Sequence, residues 1–137
     1  MPRSNGMCEL RKEKGRIIFL GSILLDQASK ALANNLKVSL INKGISLGIW
    51  SNCYVVILLP ILSLGFLVIL WHLKKIWNVG LILITAGGTS NCLDRVFYGG
   101  VVDFVRLPLI PIFNLADFLV LTGAVFALVD FIKLKKV

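Results

Sequence analysis

Ser22, Asp26 and Lys30 recur at four-residue spacing, so on a helix they share one face. Asn91, Asp94 and Arg95 group by the same rule, Asn114 and Asp117 are three apart, and Asp103 lies between these two groups. Asp26 with Lys30, and Asp94 with Arg95, can neutralise one another and act only as staples. Asp103 and Asp117 have only Arg106 nearby to offset them. Two carboxylates brought together do not both ionise easily, so one holds a proton while the other stays anionic. Such a pair suits peptide hydrolysis: the anionic member takes a proton from water, and the protonated member hydrogen-bonds the scissile carbonyl and later protonates the leaving amine. Other chemistries use the same residues differently. Lys30 with Ser46 or Ser90 would make a serine–lysine nucleophile, Asp26 alone would suit a small proton-coupled exporter, and a purely structural relative would turn nothing over.

The elements that must position these groups follow from composition. Of 137 residues, 57 % are hydrophobic and 16 % charged, against roughly 45–50 % and about 25 % for an average soluble domain, and the mean hydropathy is +0.86. A globule this small would leave a large apolar patch in water, so the composition points to lipid. Residues 54–73, 77–93 and 113–132 are each about long enough to cross a hydrocarbon core. The second of these ends in the small residues Ala86, Gly87, Gly88, Thr89 and Ser90, which let helix backbones approach closely. The first apolar run, residues 17–25, follows the basic cluster Arg11, Lys12, Lys14 and Arg16, as a cleavable signal peptide would, and Ala31-Leu32-Ala33 offers a cleavage pattern. Asp26, Gln27 and Lys30 stand where such a peptide wants none of them, so a retained helix over residues 15–35 is expected.

The fold class expected is an all-α membrane protein of four transmembrane helices, with outer loops forming a small extracytoplasmic cap that has room for short strands. Residues 1–14 form a basic tail, 15–132 the helical domain and 133–137 a second basic tail. Ten of the fifteen Lys and Arg residues fall in the two tails, at Arg16 just beyond the first of them, and in the turn at Lys74 and Lys75. Basic residues accumulate on the cytoplasmic side, so both termini are expected there, and the net charge of +8 is a topology signal with no nucleic-acid partner implied. Trp71 and Trp77 flank the inner turn, and Trp50 and Tyr54 the outer interface. Cys8, Cys53 and Cys92 have no metal-ligand spacing; free thiols are expected, although Cys53 and Cys92 fall near the same face. In this topology Asp26, Asp94, Asp103 and Asp117 converge on the outer half of the membrane, where charge is costly and normally marks function.

Five sequence blocks carry a resemblance. Asp26-Gln27-Ala28-Ser29-Lys30, Asn42-Lys43-Gly44 followed by Gly48, Asn91-Cys92-Leu93-Asp94-Arg95, Gly100-Val101-Val102-Asp103-Phe104 and Phe113-Asn114-Leu115-Ala116-Asp117 resemble, in this order, the blocks of lipoprotein signal peptidase (signal peptidase II). The likeness runs from about residue 17 to residue 132. It implies an intramembrane aspartic endopeptidase of the bacterial cytoplasmic (inner) membrane, multi-pass and with its active site toward the extracytoplasmic side. Such an enzyme removes the signal peptide from diacylglyceryl-modified prolipoproteins, cutting just before the lipid-modified cysteine. By motif match Asp103 and Asp117 are the catalytic pair, and Asp26, Lys30, Asn42, Asn91, Arg95 and Asn114 are substrate-binding or site-supporting. Asp94 is read as structural, through its neighbour Arg95 and the helix end. The resemblance implies no metal or cofactor, in keeping with the single histidine, His72, on the cytoplasmic side. The partners it implies are lipid-modified prolipoproteins and membrane lipid, and the enzyme is expected to be a monomer. The loop of residues 34–53 is expected to cover the site, with Asn42 holding substrate backbone. Three departures stand out: Ser90 where the family usually has glycine, Ser46-Leu47 in place of Ala-Phe, and a short Pro- and Leu-rich stretch over residues 104–112.

Overall fold

A computed structural model describes residues 3–44, 65 and 79–135 of the chain. Helix α1 runs over Arg3–Asn35, strand β1 over Leu40–Asn42, helix α2 over Val79–Tyr98, strands β2, β3 and β4 over Val101–Asp103, Val105–Leu107 and Ile110–Phe113, and helix α3 over Leu115–Lys135. The expected spans over 15–35, 77–93 and 113–132 thus correspond to α1, α2 and α3. Apart from Gly65, the span over 54–73 lies outside the described residues, as do Trp50, Tyr54, Trp71, Trp77, His72, Cys53, Ser46 and Leu47.

Helix α1 begins twelve residues before the expected start and includes most of the basic tail. The reason is propensity: Glu9, Leu10, Arg11, Lys12, Glu13 and Lys14 all favour helix, and the apolar segment after them supplies the nucleus on which the helix extends. At its other end Lys37 adopts φ +56°, the Lys37 N–H donates to the Asn34 carbonyl (3.0 Å) and the Val38 N–H to the Ala33 carbonyl (3.1 Å). These two bonds are a Schellman cap, with lysine in the left-handed position that glycine usually takes.

Helices α2 and α3 pack against each other most extensively, and α1 lies mainly on α2. The α2–α3 approach is close because of glycine. A Cβ at Gly87 would sit 2.5 Å from the Ala116 carbonyl oxygen, and one at Gly123 2.6 Å from that of Gly80. The outer faces are apolar: Phe118, Leu121, Val125, Phe126, Leu128 and Val129 of α3 are exposed, as are Ile17, Leu20 and Leu24 of α1. Among the described residues no helix is long and apolar enough to cross a membrane.

Two small antiparallel pairs cap the helices on the side where α2 ends and α3 begins. Gly99, at φ +69°, donates its N–H to the Arg95 carbonyl (3.1 Å) and turns the chain out of α2 into β2. Strand β1 pairs with β2 with Leu40 opposite Asp103 and Asn42 opposite Val101. Strands β3 and β4 form a hairpin whose turn holds Pro108 and then Leu109 at φ +67°. That is the residue order of a type II turn, with leucine where glycine is usual.

Candidate active site

Asp117 stands in the first turn of α3, and its placement is local chemistry. The Asn114 N–H donates to Asp117 Oδ2 (3.2 Å), and the Asp117 N–H donates back to Asn114 Oδ1 (3.0 Å). This reciprocal pair is a capping box, so the helix start and the carboxylate geometry are set together. Asp103 ends β2, buried with 3 % of its surface exposed. Asn114 Nδ2 donates to Asp103 Oδ1 (2.7 Å), so one asparagine side chain and its own backbone touch both aspartates.

The other partners complete the frame. Asn42 Nδ2 donates to Asp103 Oδ2 (3.1 Å), while Asn42 Oδ1 accepts the Gly44 N–H (3.0 Å). The β1–β2 register places Asn42 diagonally across from Asp103 on one face of the pair, within side-chain reach. Asn91 Nδ2 donates to Asp117 Oδ1 (2.9 Å), and Asn91 Oδ1 accepts from Asn114 Nδ2 (3.1 Å) and from Lys30 Nζ (3.0 Å). Burial holds the Asp103 carboxyl above the usual carboxylate range; the Asp117 charge pushes the same way, and the hydrogen bonds from Asn42 and Asn114 oppose it.

Beneath this layer lies a second network. Lys30, 2 % exposed, bridges Asp26 (2.6 Å) and Asp94 (2.7 Å). Asp26 accepts the Ser90 hydroxyl (2.6 Å) and the Ala116 N–H (2.7 Å), and Asp94 accepts the Val102 N–H (3.1 Å) and the Gln27 amide (2.8 Å). Asp26 therefore holds the first turn of α3, Asp94 holds β2, and Lys30 joins both to Asn91. The expected partner of Asp94 is corrected: it pairs with Lys30, because adjacent residues on a helix point about 100° apart and Arg95 faces elsewhere. Arg95 Nη1 donates to the Asn91 carbonyl (3.1 Å), and among the described residues its buried Nε has no hydrogen-bond partner.

Asp103, Asp117, Asn42, Asn91 and Arg95 line one cavity of about 520 Å³, together with Ile110, Pro111, Ile112, Phe113, Phe118 and Leu121. Asp26, Lys30 and Asp94 do not line it. With both its oxygens engaged, Asp26 is not placed to carry protons through it. Ser90 is fully buried and donates its hydroxyl to Asp26, and the ammonium of Lys30 is bound to Asp26, Asp94 and Asn91, so Ser90 is not an accessible nucleophile for Lys30; Ser46, the other serine of that reading, lies outside the described residues. Asn42 touches Asp103 itself, a contact the expected role of holding substrate backbone did not include. Sequence reasoning gave no role to Gln27, which is one residue off the Asp26–Lys30 face and whose amide reaches Ser90 Oγ (2.9 Å) as well as Asp94. Among the described residues Cys92 is a free thiol; Cys53 lies outside them. Among the described residues no group of three or more His, Cys, Asp or Glu side chains is arranged to hold a metal ion.

Comparison with known proteins gives a consistent set of likenesses. A family model described as signal peptidase (SPase) II matches residues 18–133. The lipoprotein signal peptidase of Caldicellulosiruptor bescii is 33 % identical, the match covering 88 % of this chain and 90 % of that one. That of Wigglesworthia glossinidia brevipalpis is 28 % identical, covering 82 % and 90 %. Among solved structures, a bacterial membrane enzyme determined by the in meso method at 2.3 Å superimposes with a TM-score of 0.80 at 26 % identity, covering 88 % of each chain.

Proposed function

The chain belongs to the signal peptidase II family, and from that membership we propose how its residues divide the work of the reaction. The activity is that of an aspartic-type peptidase of the bacterial inner membrane, which cleaves signal peptides from prolipoproteins. Asp103 and Asp117 are the catalytic pair, and the bond cut is the one just before the diacylglyceryl-modified cysteine. The observation that carries the assignment is the Asn114 bridge: one residue bonds both carboxylates at the wall of the one cavity they share.

In this reading the pair works with one proton between its members. That proton rests on Asp103, whose burial favours the neutral form. Asp117 accepts N–H groups on both oxygens in the first turn of α3. Asp117 takes a proton from the attacking water while Asp103 hydrogen-bonds the scissile carbonyl, and the proton gained is then delivered to the leaving amine. Asn42, Asn91 and Asn114 hold the two carboxylates; Lys30, with Asp26 and Asp94, holds Asn91 and the backbone on either side. The apolar wall formed by Ile110, Phe113, Phe118 and Leu121 suits a substrate that arrives attached to acyl chains. Four spans, cytoplasmic termini, an outward-facing site and a monomeric enzyme complete the reading; the exposed apolar faces of α1 and α3 support the membrane-spanning part.

The test is processing of a lipid-modified prolipoprotein by the wild type, Asp103→Asn and Asp117→Asn. Each substitution keeps the side-chain size and is expected to lower the rate roughly 10²–10⁴-fold without loss of folded protein. Continued cleavage at near wild-type rate by either folded variant rejects the pair.

A further inference from the structure

We propose that the tip of the β3–β4 hairpin, Leu107-Pro108-Leu109-Ile110, inserts into the interfacial lipid beside the active site and anchors the cavity wall to the bilayer. From Leu107 through Phe113 every side chain is apolar, which is the reverse of a turn built for water, where Gly, Asn, Asp and Ser dominate. Leu109 is 105 % exposed and Leu107 and Ile110 about half exposed. Leu109 also adopts φ +67°, a conformation that carries a steric cost for any residue with a Cβ and almost none for glycine. A leucine there is unfavourable in water for two separate reasons. In lipid the side chain gains what the backbone loses.

Continuity identifies the occupant. Strand β4 supplies Ile110, Pro111, Ile112 and Phe113 to the cavity wall, and the same wall continues into Phe118 and Leu121 of α3. Beyond them Val125, Phe126, Leu128 and Val129 carry the exposed apolar face along α3. In a membrane enzyme that face meets hydrocarbon, so the hairpin tip lies on the edge of a surface already in lipid. Arg106, exposed at the base of the hairpin, has the charge and reach to meet lipid phosphates. A protein partner fits less well, since a stable interface covers about 800 Å² on each side and four residues of turn offer far less.

The proposal rests on the membrane-enzyme reading, and the experiment keeps the two apart. Full-length Leu109→Trp and, separately, Leu107→Trp are reconstituted in phosphatidylcholine–phosphatidylglycerol vesicles, and wild-type emission is subtracted to remove the three native tryptophans. The added tryptophan is expected to be quenched at least about two-fold more by acyl-brominated lipid than by aqueous iodide, a contrast set by location in or out of lipid. Quenching by iodide alone overturns the proposal. Shielding from both quenchers also overturns it, because a protein segment then covers the tip. Prolipoprotein processing is measured in the same vesicles: a variant that processes substrate while its tip tryptophan is quenched only by iodide removes the lipid anchor and leaves the enzyme reading intact.

Discussion

Asn42 separates two roles that one residue can play in this site. Its N–H bond to Asp103 favours the carboxylate anion, so removing it raises the Asp103 pKa further. In the proposed mechanism the pair is active with one proton, and that proton is lost as pH rises through the raised value. Asn42→Ala is therefore expected to move the alkaline limb of the kcat profile to higher pH; a residue that only held substrate would raise KM and leave the limb in place. The same shift has a sign for stability. The Asp103 pKa lies above its unfolded value, so its contribution to folding is fully present below the ordinary carboxylate range and is lost as pH rises through the folded pKa. What the sequence made legible at this scale was the local part. The Asp26–Lys30 contact follows from four-residue spacing, and Asn114-x-x-Asp117 has the spacing of a capping box. The Lys30–Asp94 contact and the reach of Gln27 to Ser90 join α1 to α2, and no spacing within one helix contains them.

Elements bring these residues into contact, and the α2–α3 approach is the tightest joint. Gly87 faces the Ala116 carbonyl at a distance no side chain tolerates, and Ala116 is the neighbour of Asp117. Gly87→Val is expected to destabilise the protein by about 1–3 kcal/mol, read as a lower thermal midpoint, and to reduce processing by more than the lost folded fraction explains, because the backbone that shifts carries Asp117. The small residues in α2 announced this approach from sequence alone. The β1–β2 pair was not legible in the same way: strands of three residues have no periodicity to read, and only the pairing register brings Asn42 to Asp103. The early start of α1 shows the opposite case, in which charged residues that look like a tail by composition have the propensity of a helix.

For the whole molecule, the membrane class came from composition and the orientation rests on where the basic residues fall. If both ends of the chain lie in the cytoplasm, alkaline phosphatase fused after Val137 is expected to be inactive and green fluorescent protein at the same place bright; a bright phosphatase signal reverses the topology. The contact of Asp26 with the Ala116 N–H, across 90 residues of sequence, adds a constraint of a different kind. Synthesis runs from α1 to α3, so Asp26 is made long before the backbone group it will hold. In that interval its only charged partner within α1 at short range is Lys30, four residues on, and the two travel as a nearly neutral pair. When α3 emerges, the waiting carboxylate receives the N–H of the helix's first turn, next to Asp117. The order of translation therefore lets Asp103 and Asp117 come together only after α3 has been made.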